Sequence, residues 1–139
     1  MAKIVNISEA VSIALHSMVI IAKQGKQVKV NVNLLADKTG SSRFHISKVM
    51  QKLVKDGYLL SNRGPSGGFF LAKDPSEISF LQLYESIEGK MELNDCPINH
   101  AVCPFKSCIF EDVTVKMTRD FYNHMKERKL DYYMKNPKF

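Results

Sequence analysis

Apolar residues recur along this chain at changing periods, and the changes outline its elements. Ala10, Val11, Ala14, Leu15, Met18, Val19 and Ala22 keep a helical spacing after Ser8, a good N-cap, and Gly25 supplies the stop. Val28, Lys29 and Val30 have the composition of a short strand. Asn31 or Asn33 then caps a short helix expected over 34–38 and closed by Gly40. A third helix is expected over 42–55, opened by Ser41 and Ser42. Ile46, Val49, Met50, Leu53 and Val54 line one side of it, at offsets of 0, 3, 4, 7 and 8. Arg43, Phe44, Lys48, Gln51, Lys52 and Lys55 take the other side, and Asp56-Gly57 ends it. Two strands, 58–61 and 69–72, flank a glycine-rich loop over 63–68.

Asp74-Pro75 marks a boundary. Ser79 and Gln82 form a capping box, with Ile78 and Leu83 placed as a hydrophobic staple, so a helix should run from there to Glu88 and stop at Gly89. Residues 90–108 show no periodicity. Val113, Met117, Phe121 and Met125 then repeat as one stripe and predict a final amphipathic helix over about 110–133. The fold class that follows is mainly α with a small β-hairpin. The expected division is a unit over 1–75 and a second over 76–139, the latter holding a linker helix, the aperiodic segment 90–108 and a long helix over 109–133.

Charge sharpens this division. Residues 1–75 carry eleven Lys and Arg against four Asp and Glu, a net +7, and residues 76–139 carry nine against ten, a net −1. A basic half joined to a near-neutral one suits a polyanion-binding module with something attached. No apolar run reaches the roughly 18 residues of a membrane span, and no leader pattern is present, so a cytoplasmic location is expected.

Helix, short helix, glycine turn, basic helix, strand, glycine-rich loop, strand is the order of a winged helix-turn-helix. A helix fits the DNA major groove, where Arg43, His45, Ser47, Lys48 and Gln51 can reach base edges or phosphates. Ser42 stands at a helix N-terminus, whose free N–H groups attract a phosphate. In the loop Asn62-Arg63-Gly64-Pro65-Ser66-Gly67-Gly68, Arg63 and Ser66 are carried into reach of a minor groove or backbone. The loop lacks the Gly-Lys-Ser/Thr of a nucleotide-binding loop and joins two strands. Catalysis is not expected. The four histidines lack metal-protease spacing, there is no Gly-x-Ser-x-Gly elbow, and nothing positions an oxyanion hole.

Several runs carry a family likeness. They are Ala14-Leu15-His16, Leu34-Leu35-Ala36, Lys52-Leu53-Val54-Lys55-Asp56-Gly57-Tyr58-Leu59 and, most specific, Arg63-Gly64-Pro65-Ser66-Gly67-Gly68-Phe69-Phe70-Leu71-Ala72. Over roughly residues 5–132 the chain resembles the IscR/NsrR family of bacterial winged-helix regulators, also called the BadM or Rrf-type family. The resemblance implies a homodimer made through the long C-terminal helix and a double-stranded DNA operator with two-fold-related halves.

Cys96, Cys103 and Cys108 all lie in the aperiodic segment, with six and then four residues between them, and Cys96 and Cys103 each precede a proline. Three cysteines in a reducing compartment do not make a disulfide framework. Thiolates are soft ligands for an iron–sulfur cluster, zinc or copper(I). Cluster-binding members of the family resemble this segment, with three cysteines in the loop before the dimer helix. That resemblance implies a [2Fe-2S] or [4Fe-4S] cluster sensing redox state or nitric oxide. The family spacing is often five and five, so six and four departs from it. The fourth ligand stays open among His16 of the partner subunit, His100, Glu9, Glu111 and Asp112. Glu111 stands where the cluster-scaffold regulator has a histidine, and Ser12 where some relatives have an acidic ligand. The alternatives are a thiol or disulfide switch and a zinc site built from Cys96, His100, Cys103 and Cys108.

Overall fold

Helix caps set most of the element boundaries. The structure, a computed structural model, describes every residue except 4, 27, 95 and 99–101. Helix α1 (Glu9–Gln24) starts where the Ser8 side chain accepts the Val11 N–H and ends at Gly25. Helix α2 (Val32–Thr39) begins at Asn31, whose side chain accepts the Leu34 N–H at 2.8 Å, so Asn31 and not Asn33 is the cap. Gly40, in the left-handed conformation, closes it. Helix α3 (Arg43–Lys55) follows after a short turn, capped by Ser42. Val11, Ile13, Met18 and Ile21 of α1, Leu35 of α2, and Ile46, Met50 and Leu53 of α3 are all buried, which clamps the three helices into one unit.

The hairpin pairs β1 (Leu59–Asn62) with β2 (Gly68–Leu71) in antiparallel register, Leu59 opposite Leu71 and Asn62 opposite Gly68. The strand expected at 28–30 is reduced to a single bridge. Val30 and Phe69 exchange two backbone hydrogen bonds of 2.9 and 2.8 Å, after which Asn31 turns the chain into α2. Two of the three glycines in the 63–68 run, Gly67 and Gly68, are required by close approach. A Cβ on Gly67 would lie 2.3 Å from the Asn62 carbonyl oxygen, and one on Gly68 would lie 2.8 Å from that of Val30.

Helix α4 (Phe80–Glu88) has both halves of its capping box, and the staple residues Ile78 and Leu83 are fully buried. The last helix is shorter than its periodicity predicts. Helix α5 (Val113–Glu127) stops at Arg128, and a separate helix α6 (Leu130–Lys135) follows. The cause is a tertiary pairing. The Arg128 carbonyl accepts the Phe80 N–H at 2.9 Å, and the Leu130 N–H donates to Ile78 at 3.0 Å. Extended backbone at 128–129 thus satisfies one of the unpaired donors at the start of α4 and drives Leu130 into the core. Tyr133 of α6 stacks on Phe80, with ring centroids 4.8 Å apart. One core cluster takes in Ile78, Leu83 and Leu130 with residues of α1 to α3, so packing runs across the boundary expected at 75/76.

Candidate nucleic-acid interface and cysteine loop

Helix α3 buries Ile46, Val49, Met50 and Leu53 and turns the opposite stripe outward. Phe44, Ser47, Lys48 and Gln51 sit at i, i+3, i+4 and i+7 on that stripe. Of these, Phe44, Lys48 and Gln51 are exposed and Ser47 is half-buried. Ser42 and Arg43 are exposed at the helix start, and the Ser42 hydroxyl oxygen accepts the His45 N–H at 3.2 Å. His45 itself is half-buried and turned towards α1, with Nδ1 3.5 Å from Glu9 Oε2.

Arg63 and Ser66 are exposed in the five-residue loop that joins β1 to β2. A hollow of about 280 Å³ lies between Gln51 of α3, Asn31 and the base of this loop, so the third helix and the wing share one surface. Lys29 joins them. Its Nζ lies 2.9 Å from the Asn62 side-chain oxygen once that amide is oriented to satisfy both groups. The sequence marks Lys29 only as part of a short strand. Its position beside the wing depends on the Val30–Phe69 bridge, a long-range pairing. No ion pair among the described residues takes Arg43, Lys48 or Arg63, so these cations are available to phosphates.

The three cysteines come together in kind but not as a closed ligand set. Cys96, Cys103 and Cys108 are exposed and all line one mostly apolar hollow of about 500 Å³, with Pro97, Pro104 and Phe110. Among the described residues, no three His, Cys, Asp or Glu side chains stand close enough to hold a metal ion. The donor chemistry suits iron with bridging sulfide, since three thiolates supply three soft ligands and leave a fourth place open.

Of the candidate fourth ligands, His100 lies outside the described residues. Glu9 is engaged by His45. His16, exposed on α1, has Nδ1 2.7 Å from the Ser12 carbonyl oxygen. A carbonyl only accepts, so Nδ1 carries a proton, which leaves Nε2 as the ring nitrogen open to a metal. Metal-binding histidines are commonly oriented by such a second hydrogen bond.

Glu111 and Asp112 sit at the start of α5. Glu111 is the one described non-glycine residue with positive φ, 56°, and its N–H donates to the Cys108 carbonyl at 3.0 Å. Asp112 occupies the N-cap position of α5 but makes no side-chain cap, so its carboxylate is not used there. Cys108 is therefore tied to α5 through one hydrogen-bonded turn.

A family model described as Rrf2, iron-dependent transcriptional regulator, matches residues 7–136. The chain belongs to this family. It is a transcriptional regulator and not an enzyme, with a helical winged-helix fold. This Rrf2-family regulator is 28% identical over 134 residues to the HTH-type transcriptional regulator NsrR of Oceanobacillus iheyensis, a match covering 94% of this chain and 90% of that protein. In fold it is similar to CymR, the global cysteine regulator of B. subtilis, at a TM-score of 0.75 and 17% identity, over 94% of this chain and 97% of that one. It is also similar to the oxidised form of Staphylococcus aureus CymR, at a TM-score of 0.74 and 20% identity, over 95% and 98% of the two chains. No helix among the described residues is long and apolar enough to cross a membrane.

Proposed function

We propose that this Rrf2-family regulator is a cytoplasmic homodimer that binds a two-fold-related DNA operator and is controlled by an iron–sulfur cluster on Cys96, Cys103 and Cys108. The observation that carries the sensory part is the convergence of all three exposed cysteines on one hollow, with Cys108 hydrogen-bonded directly into the turn that starts α5. The family description as iron-dependent supports the same reading. When bound, the cluster would supply an oxidant- and nitric oxide-sensitive centre. Its ligands would be the three thiolates, with His16 of the partner subunit the best-prepared fourth, because its Nδ1–H is already anchored on a backbone carbonyl.

The DNA-reading residues in this proposal are Ser42, Arg43, Ser47, Lys48, Gln51, Arg63 and Ser66, while His45, turned towards Glu9 of α1, supports the helix start behind them. Helix α5 is the dimer helix, since Val113 and Met117 on its apolar stripe are 56% and 41% exposed in the single chain. A change in the loop that moves Cys108 is passed to α5 through the strained Glu111 turn. Because α5 packs on α4, and α4 on α1, it shifts one DNA-reading head relative to the other.

The test is the visible absorption spectrum and the iron and sulfide content of protein purified without oxygen. Iron and sulfide should be present, and both should fall sharply in Cys103→Ala. A colourless protein that takes up neither on attempted reconstitution would sink the cluster.

A second reading is favoured by the exposure of the cysteines and by likeness to a neighbour solved in an oxidised form. In it two thiols form a disulfide, giving up two protons and two electrons to hydrogen peroxide, whose O–O bond breaks to give two molecules of water. Peptide mapping of the iron-free protein after peroxide treatment separates the two. A disulfide among these cysteines, formed with a change in DNA affinity, supports this second reading.

A further inference from the structure

Phe44 is out of place for a residue with only a structural role. It is 73% exposed, in the first turn of α3, while the core side of that helix is already filled by Ile46, Val49, Met50 and Leu53. A phenylalanine can bury on the order of 150 Å² or more, and here most of it faces water. It shares its stripe with Ser47, Lys48 and Gln51, and the Lys48 ammonium lies 5.1 Å from its ring centroid. A cation over the ring face holds the aromatic in place and sets positive charge beside it. Arg43–Lys55 contains no Asp or Glu at all. The same face of a second copy would meet it with like charge, whereas a nucleic acid complements it.

The chemistry of the ring then narrows the ligand. A phenyl side chain offers no hydrogen bond to phosphate or to the polar edge of a base. In the major groove the one apolar feature is the C5 methyl group of thymine. Residues in the N-terminal half of a recognition helix are those that reach base edges. We propose that Phe44 is a specificity-determining residue that recognises a thymine methyl, one per half-site. This deepens the DNA-binding reading above and rests on it.

The experiment uses the full-length protein, prepared both without oxygen and after oxidation. A random-sequence selection first defines a preferred duplex, and each thymine in it is then replaced in turn by deoxyuridine, which lacks only the methyl. Wild type should lose about fourfold in affinity at one thymine per half-site, the worth of burying one methyl group. Phe44→Ala should bind the thymine and uridine duplexes equally, with an unchanged salt dependence and melting curve. Indifference of the wild type to uridine at every position overturns the proposal, as does full discrimination by Phe44→Ala. A change in oligomeric state in Phe44→Ala would assign the ring to a second copy and overturn it too. Failure of the selection to enrich any sequence in either state overturns the DNA-binding reading itself.

Discussion

Asp56 shows how a single side chain couples the DNA-reading helix to the rest of the fold. It caps the C-terminus of α3, accepts a hydrogen bond from the Ser86 hydroxyl on α4, and pairs with Lys52 Nζ at 3.0 Å. The Ser86 bond first, and then Lys52, hold its carboxyl below the ordinary 3.8. A depressed carboxylate contributes stability that is present above the unfolded value and lost as pH falls through the lower folded one. Replacing Ser86 with Ala should therefore raise the Asp56 pKa towards 3.8 in an NMR titration. The accompanying loss of stability near neutral pH should be under about 1 kcal/mol, because the pair is partly exposed and screened. It should vanish in acid below the wild-type pKa; an Asp56 titration unmoved by the substitution would contradict this. Only half of this was legible in the sequence. Asp56-Gly57 reads as a helix stop, but Ser86 lies thirty residues away and only folding brings it there. The same limit applies to Lys29 beside Asn62, whereas the outward stripe of α3 follows directly from the spacing of its core residues.

Among the elements, boundaries set by a local cap were legible, at helix ends such as Gly25, Gly40 and Gly89 as well as at starts, and the one set by a tertiary pairing was not. Ser8, Ser42 and Ser79 all cap as their residue types suggest, because capping is a local hydrogen bond within three residues. The end of α5 depends on Arg128 pairing with the start of α4, which no local rule contains. One sign of it was present. The stripe Val113, Met117, Phe121, Met125 would continue at 128–129, where Arg and Lys stand, and the next apolar residue, Leu130, is off register. The Ser79 box is the strongest of the caps, since Ser79 is itself buried and bonded to Gln82 in both directions. Ser79→Ala should cost about 1 kcal/mol or somewhat more in urea unfolding. An unchanged midpoint would mean that the Arg128–Phe80 pairing alone holds this junction.

For the whole molecule, the proposed assembly joins two copies through α5, and the state of the cysteine loop sets their DNA-reading faces. Met117 is exposed at the N-terminal end of the apolar stripe, whose other end, Phe121 and Met125, is covered within the chain. A charge placed there would be buried unpaired in the dimer, at a cost of roughly 3 kcal/mol or more. Met117→Asp should sediment as a monomer with its helical content retained, and a dimer of wild-type stability would remove α5 from the interface. The position of the cysteines between a basic head and an amphipathic helix was legible from aperiodicity and charge. Their shared hollow and the turn linking Cys108 to α5 were not, because both depend on loop geometry. The most direct test is the affinity of oxygen-free protein for its selected duplex, measured across a salt series before and after exposure to nitric oxide. Affinity should fall steeply with salt and shift at least about tenfold on exposure, a shift equal to about 1.4 kcal/mol, with the shift absent in Cys103→Ala. Affinity that is indifferent to salt, or identical before and after exposure in the wild type, would contradict this mechanism.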